Sequence, residues 1–176
     1  MKLILITLLI LTGMNTISIF NFEKNVDIQD WNIVDDVVMG GKSNGSFTLN
    51  NEGHGVFSGV ISLKNNGGFS SVRYQFETLD ISDKTFVYIK LKGDGKQYQF
   101  RIKDEKNAYF SYIFPFQTTG DWEEITIPLN KMYASFRGRT LNIPNFSENQ
   151  LEEIVFLIGN KKAEDFELQI DSIYLK

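Results

Sequence analysis

The chain has 176 residues, a formal net charge of −4, a single histidine and no cysteine. These counts exclude thiol catalysis, iron–sulfur clusters and metal sites rich in cysteine or histidine. The acidic balance, without a long basic run, also argues against binding to nucleic acid. Aromatic residues make up 14% of the chain. This composition is typical of an ordered, strand-rich protein, and the length suits one domain with its own core.

The first 18 residues have the pattern of a secretory signal peptide. Lys2 supplies a positive charge, residues 3–11 form an apolar run, and Thr16 and Ser18 are small residues at the −3 and −1 positions of a cleavage site. The run is about half the ~20 residues that a spanning helix needs, although an uncleaved anchor is the alternative. We therefore expect an exported protein, periplasmic or secreted, without a stable membrane span after cleavage. Its domain would occupy residues 19–176.

Alternation of apolar and polar residues with period two dominates these residues and predicts β-strands. The clearest segments are residues 85–92 and 96–103, separated by Gly93-Asp94-Gly95, and they are predicted to form a β-hairpin. Their expected inward-facing side chains are Val87, Ile89 and Leu91 in the first segment and Tyr98, Phe100 and Ile102 in the second. The other predicted strands are residues 45–50, 55–63, 69–77, 109–116, 122–128, 154–158 and 166–175.

Evidence for helix is slight. Residues 147–150 resemble a capping box and predict one or two helical turns through Glu153, and residues 130–136 predict another turn or two. Nine short strands with so little helix predict an all-β antiparallel sandwich or barrel. Because there is no internal repeat, low-complexity tract or linker, we expect a single domain and a monomer.

The segment Gly41-Lys42-Ser43 looks like the end of a phosphate-binding loop. Such a loop needs a glycine five residues before Gly41, and that position is Asp36, whose carboxylate would repel a polyphosphate. The residues after Ser43 predict a turn and a strand, so no helix would direct its dipole at a phosphate. A nucleotide site is therefore excluded.

The acidic and glycine residues of this loop allow two interpretations. In the architectural one, Asp35 or Asp36 accepts backbone N–H groups, while the glycines adopt positive φ or allow close packing. In the functional one, Asp35, Asp36 and Ser43 bind an oxygen-rich ligand or a cation. Calcium takes six to eight oxygens, which this segment alone cannot provide, so no metal is predicted.

No catalytic constellation stands out. His54 lies in a predicted turn, where the expected role is that of a solvated residue, and the acidic residues occur in no recognisable catalytic context. We therefore predict a protein that is not an enzyme and that needs no cofactor.

Exposed aromatic residues suggest a different use of the surface. Five of them could form a stacking platform for sugar rings, with polar side chains as hydrogen-bond donors; the alternative is that the aromatic rings fill the core. The aromatic residues are Tyr88, Tyr109, Tyr112, Trp122 and Tyr133, and the donors are Arg73, Gln97, Gln99 and Arg101.

An ordered set of segments carries a family resemblance. Residues 31–43 read WNIVDDVVMGGKS, and they are followed by GVFSGVIS, NNGGFSSVR, GDGKQYQFR, WEEITIP and FELQIDSI. Together they resemble the complex I intermediate-associated protein 30 family over nearly all of residues 19–176. The resemblance implies a galactose-binding-like jelly-roll β-sandwich, similar to certain carbohydrate-binding modules. It also implies kinship with mitochondrial assembly factors of NADH:ubiquinone oxidoreductase, which act as chaperone-like scaffolds and not as catalysts.

The resulting hypothesis is an exported, non-enzymatic binding domain that engages a protein partner; the alternative is recognition of a glycan on one face of the sandwich. An apolar patch would favour the first, and a groove with at least two exposed aromatic rings the second. We expect the two glycine-containing loops to adjoin, with Arg73 paired to a carboxylate. The predicted binding residues are Asp35, Asp36, Met39, Gly40, Gly41, Ser43, Asn66, Gly67, Gly68 and Arg73.

Overall fold

Two antiparallel β-sheets form the part of the chain that the structure, a computed structural model, describes, namely residues 15–176. Three single 3-10 turns, Asp36–Met39, Lys64–Asn66 and Leu129–Lys131, lie between strands. The strands are β1 (Ile17–Asn21), β2 (Trp31–Asp35), β3 (Asn44–Leu49), β4 (Gly55–Ile61), β5 (Ser70–Asp80), β6 (Phe86–Lys92), β7 (Gln97–Lys103), β8 (Ser111–Gln117), β9 (Trp122–Pro128), β10 (Tyr133–Phe136), β11 (Arg139–Thr140), β12 (Gln150–Ile158) and β13 (Glu164–Leu175).

The two sheets form a jelly-roll sandwich, which confirms the predicted fold. The six-stranded sheet has the order β3-β4-β13-β6-β9, and β1 also pairs with β13. The seven-stranded sheet has the order β11-β10-β8-β7-β12-β5-β2. The hydrophobic core lies between the sheets, and alternate side chains of strands such as β6 and β7 point into it.

The predicted inward faces of β6 and β7 are confirmed. Val87, Ile89 and Leu91 on β6 have no solvent exposure, and neither have Tyr98, Phe100 and Ile102 on β7. The intervening residues of β7 point away from the core. Alternation along the sequence was therefore sufficient to orient both strands.

The predicted hairpin between these strands was wrong. β6 pairs with β13 and β9 in one sheet, whereas β7 pairs with β12 and β8 in the other. The connection crosses the sandwich, where Asp94 accepts hydrogen bonds from Tyr98 Oη at 3.1 Å and from the Glu167 N–H at 3.0 Å. Period-two alternation shows which face of a strand is buried, but it contains no information about the partner strand.

The predicted helical turns were also largely wrong. Residues 150–158 form β12, which lies between β5 and β7, because pairing on both edges overrides a local capping signal. Within residues 130–136, a single 3-10 turn precedes β10. Strands β1, β2, β10 and β11 were missed.

The start of the described region bears on the predicted domain boundary. The prediction of a signal peptide falls mostly on residues 1–14, which lie outside the described residues. Ile17 and Ser18, however, belong to β1 and pair with Leu175 and Tyr174 of β13. The boundary drawn after Ser18 therefore falls inside a strand. No helix within residues 15–176 has the length and apolar character needed to cross a bilayer.

Candidate functional site

The two predicted loops meet at the carboxylate of Asp36, a side chain with no solvent exposure. Its Oδ1 accepts the Ser43 N–H at 2.9 Å, and its Oδ2 accepts the Ser43 hydroxyl. Oδ2 also accepts the N–H groups of Gly68 at 2.5 Å and Phe69 at 3.2 Å. One buried carboxylate therefore joins residues 36–43 to residues 67–69, as the architectural interpretation predicted.

These contacts keep Asp36 ionised. Burial by itself would raise its pKa, but the hydrogen bonds from Ser43, Gly68 and Phe69 oppose this, and the pKa lies below its ordinary value of 3.8. Because protein donors occupy both carboxylate oxygens, the predicted cation-binding alternative loses its main ligand. Within residues 15–176, no group of three or more histidine, aspartate or glutamate side chains is placed to hold a metal ion.

Glycines allow this close approach. A Cβ atom on Gly41 would overlap the Asp36 carboxylate, and one on Gly67 would lie 2.5 Å from Asp36 Oδ2. Gly40 has a φ of 88° and ends the 3-10 turn, and its carbonyl accepts a hydrogen bond from Asn65 at 3.0 Å. The glycines of the GGKS segment thus serve the backbone, one through positive φ and one through lack of a side chain.

Asp35 and Arg73 do not complete this arrangement. Asp35 faces the inside of the sandwich and accepts the Gly45 N–H at 2.9 Å. Arg73 pairs across the ladder with Asn32 and Val155 and points to the outer face of the seven-stranded sheet. Within residues 15–176, Arg73 forms no ion pair with Asp35 or Asp36, so that prediction was wrong. Arg73 points to the outer face of the sheet, whereas Asp35 points inward and Asp36 is buried in the turn after β2.

The turn held by Asp36 exposes three consecutive apolar side chains. Val37, Val38 and Met39 are 59%, 73% and 61% exposed, and Leu63 in the adjoining loop is 46% exposed. We call these four residues the apolar apex. Of these four, only Met39 was among the binding residues predicted from the sequence. The signal for Val37 and Val38 was their place beside Met39, between Asp36 and Gly40 and outside any predicted strand.

The outer face of the seven-stranded sheet is a second candidate surface. Arg73 on β5 and Arg101 on β7 are both in register with Val155 on β12, so all three side chains point outward. Arg101 donates from Nε and Nη2 to Gln99 Oε1 at 3.1 and 2.6 Å.

This face continues into a depression of about 500 Å³ at the end of the sheet. The lining includes four amide side chains, three lysines and a carboxylate: Gln97, Gln99, Gln117, Asn160, Lys96, Lys161, Lys162 and Glu164. We call this lining, together with Arg73 and Arg101, the polar strip. The strip contains all four hydrogen-bond donors predicted from the sequence, namely Arg73, Gln97, Gln99 and Arg101.

The predicted aromatic platform was wrong. Tyr88 and Trp122 lie on the six-stranded sheet, where Tyr88 stacks on Tyr174. Tyr112 is 6% exposed and packs against Phe146 in the core, and Tyr109 is in the loop before β8. Tyr133 alone of the five proposed aromatic residues is on the same sheet and outer face as the donors, because alternation does not show to which sheet a strand belongs.

Comparison with known proteins gives the same fold and a family. Residues 20–170 match the profile of the family described as complex I intermediate-associated protein 30. The mouse (Mus musculus) protein named complex I intermediate-associated protein 30, mitochondrial, is 25% identical over 179 residues, covering 88% of this chain and 54% of the relative. The chain thus spans about half the length of that relative.

Two solved structures resemble the sandwich. A family 11 carbohydrate-binding module from Clostridium thermocellum, in complex with a β-1,3-1,4-mixed-linked tetrasaccharide, has a TM-score of 0.70 at 14% identity, covering 91% of this chain and 94% of the module. The agarase AgWH50C has a TM-score of 0.62 at 13% identity, covering 92% of this chain and 24% of the enzyme. At these identities the likeness establishes the fold.

The prediction of an exported protein was wrong, because the mouse relative in the matching family is named as a mitochondrial protein. The family resemblance, in contrast, is confirmed across the sandwich. With residues 20–170 matching its profile, this chain belongs to the complex I intermediate-associated protein 30 family.

Proposed function

We propose that this chain is a non-catalytic scaffold that associates with a protein intermediate in the assembly of respiratory complex I. The observation that carries the proposal is the apolar apex. Three consecutive apolar side chains project into solvent from a turn that a buried carboxylate holds in place. Family membership and the name of the mouse relative support the same partner.

The apex suits a protein surface because of its chemistry. Val37, Val38 and Met39 present aliphatic and thioether groups that gain free energy when another apolar surface covers them. The Asp36 hydrogen bonds keep the turn in one conformation, so less ordering entropy is lost on binding. A sugar ring would instead stack on aromatic side chains, and the apex has none.

Affinity capture tests the proposal. The tagged full chain would be incubated with detergent-solubilised respiratory membranes from its own source, and captured subunits would be identified by mass spectrometry. The test variant is the double substitution Val38→Ser and Met39→Ser. The control is Ile143→Ser, which changes an exposed apolar side chain, 43% accessible, outside the apex.

We expect wild type and the Ile143→Ser variant to capture complex I subunits, and the apex variant to lose them without a change in melting temperature. Equal capture by the apex variant would show that the apex is not the contact. Failure of the wild type to capture any complex I subunit would contradict the proposed partner.

A second candidate function, glycan recognition, is favoured by the polar strip. Its amide groups both donate and accept hydrogen bonds, as sugar hydroxyls do. The family 11 carbohydrate-binding module, which shares this fold, was solved with a bound tetrasaccharide. This likeness supports glycan recognition only through the shared fold. Affinity electrophoresis in gels containing soluble polysaccharides tests this candidate, and unchanged mobility in every gel would refute it.

A further inference from the structure

Arg73 on β5 and Arg101 on β7 lie on the outer face of the seven-stranded sheet, and one strand, β12, separates them. Arg73 and Arg101 flank Val155 in the same register, and neighbouring strands are about 4.8 Å apart, which places the two Cα atoms about 10 Å from each other. Both side chains rise from the same face. A single ligand of the size of a sugar unit could therefore contact both guanidinium groups.

Neither arginine has a carboxylate partner within residues 15–176. Arg101 donates to the neutral amide of Gln99, and Arg73 Nε is buried without a hydrogen-bond partner in that part of the chain. On the same face, Glu153 Oε2 accepts a hydrogen bond from Gln75 at 2.6 Å, and Glu153 Oε1 lies 3.8 Å from Lys103 Nζ.

The electrostatic consequence appears at Arg101. Burial, and to a lesser extent the positive charge of Arg73, lower the pKa of Arg101 to about 10. Two desolvated like charges raise the energy of the free protein, whereas an anion between them would form charge-assisted, bidentate hydrogen bonds. A bound anion would therefore lower the electrostatic energy of the arginine pair.

The rest of the polar strip is also rich in cations. Lys161 and Lys162 line the depression, and its carboxylate, Glu164, accepts a hydrogen bond from Asn160 at 3.0 Å. Lys96 is paired with Asp94 at 2.7 Å. In a chain with a net charge of −4, this surface concentrates positive charge.

We propose that the polar strip binds an acidic oligosaccharide, with hexuronate carboxylates on Arg73 and Arg101 and hydroxyl groups on the amides. The inference rests on the glycan candidate above and names its chemical class. An acidic peptide fits less well because peptide contacts depend on buried apolar anchors. Three apolar residues of this face are nearly covered: Val155, Leu157 and Ile113 are 2%, 8% and 5% exposed.

Calorimetry and affinity electrophoresis with the full chain would test this inference. The probes are oligogalacturonate, a neutral mixed-linked β-glucan oligosaccharide, and poly-glutamate of matched charge. We expect the oligogalacturonate to bind most tightly and its affinity to fall as salt rises, because partly exposed ion pairs are screened.

Variants assign the binding to the arginine pair. Arg73→Gln and Arg101→Gln should each weaken oligogalacturonate binding about tenfold or more, the usual effect of losing a hydrogen bond to a charged group. Arg101→Lys, which keeps the charge but loses the planar fork, should bind with intermediate affinity. The matched control is Arg139→Gln, in the exposed edge strand β11, and it should bind as wild type does. Melting temperatures would confirm that each variant is folded.

The outcomes separate this inference from the glycan candidate. Tighter binding of the neutral oligosaccharide, unaffected by the arginine variants, would overturn the acidic ligand while keeping a glycan. Tighter binding of poly-glutamate would overturn it in favour of an acidic peptide. Absence of binding to all three probes would overturn both.

Discussion

Gly41 packs so closely against Asp36 that a Cβ atom at this position would overlap the Asp36 carboxylate. Moving the carboxylate would break its hydrogen bonds with Ser43, Gly68 and Phe69, which would cost free energy. This single contact explains why glycine follows glycine in the GGKS segment. Substitutions at Gly40 and Gly41 should therefore have different effects on the free energy of unfolding.

We predict that Gly41→Ala lowers the free energy of unfolding by about 3 kcal/mol, the combined effect of overpacking and disturbed buried hydrogen bonds. Gly40→Asn should change it by less than about 1 kcal/mol, since Gly40 needs positive φ but has open space around it, and asparagine tolerates this conformation. Urea unfolding of both variants measures the difference. Equal losses would mean that the Asp36 contact is not the constraint.

Asp36 should give the protein a specific dependence on pH. Its pKa is lower in the folded state than the ordinary 3.8, so the unfolded chain takes up the proton first as the pH falls. The stabilisation by the carboxylate is therefore complete above a pH of about 4 to 5 and is lost as the pH drops towards the folded-state pKa.

The corresponding test uses Asp36→Asn, which turns an amide N–H₂ group towards backbone donors and should cost about 3 kcal/mol at pH 7. The stability gap from wild type should stay constant between pH 7 and 5 and narrow below pH 4. Asp121→Asn, at an exposed residue, serves as the control. A gap that widens in acid would contradict the assignment.

Trp31 is the centre of an aromatic cluster. Its ring stacks on Tyr74 and Phe47 with centroids 5.0 Å away in each case, and its Nε1 is buried without a partner in residues 15–176. We predict that Trp31→Ala costs about 4 kcal/mol through lost packing, whereas Trp31→Phe costs only about 1 kcal/mol because a phenyl ring keeps much of the stacking and no hydrogen bond is lost with the indole N–H. Thermal unfolding compares the two, and similar losses would show that ring packing at this position does not determine stability.

The crossing between β6 and β7 depends on Asp94. Because Asp94 accepts from Tyr98 Oη and from the Glu167 N–H, Asp94→Ala should cost about 2 kcal/mol and Tyr98→Phe about 1 kcal/mol. Their effects should not add, since both variants remove the same hydrogen bond, and the double variant should be more stable than the sum predicts by at least about 0.5 kcal/mol. Strictly additive losses of unfolding free energy would show that the Asp94–Tyr98 hydrogen bond does not contribute to stability.

The sequence predicted the features that are local. The inward faces of β6 and β7 follow from alternation, which needs only neighbouring residues. The structural use of the glycines follows from the residue types around Asp36. In both cases the information lies within a few positions of the feature it describes.

Other features depend on residues far away in the chain, and these were not predictable. Choosing Asp36 over Asp35 as the buried carboxylate requires knowing that the Gly68 and Phe69 donors arrive from a later loop. The aromatic platform failed for the same reason, because Tyr88 and Tyr133 belong to different sheets. Sheet membership is set by pairing, which a single sequence does not display.

The position of β13 has a consequence for how the chain reaches its fold. β13 is the last strand in the sequence, yet it lies inside the six-stranded sheet, between β4 and β6, and also pairs with β1. That sheet cannot close until residue 175 has left the ribosome. Until then, the edges of the strands synthesised earlier remain unpaired. Topologies with contacts between such distant residues fold slowly, and their unpaired strands can aggregate before folding is complete.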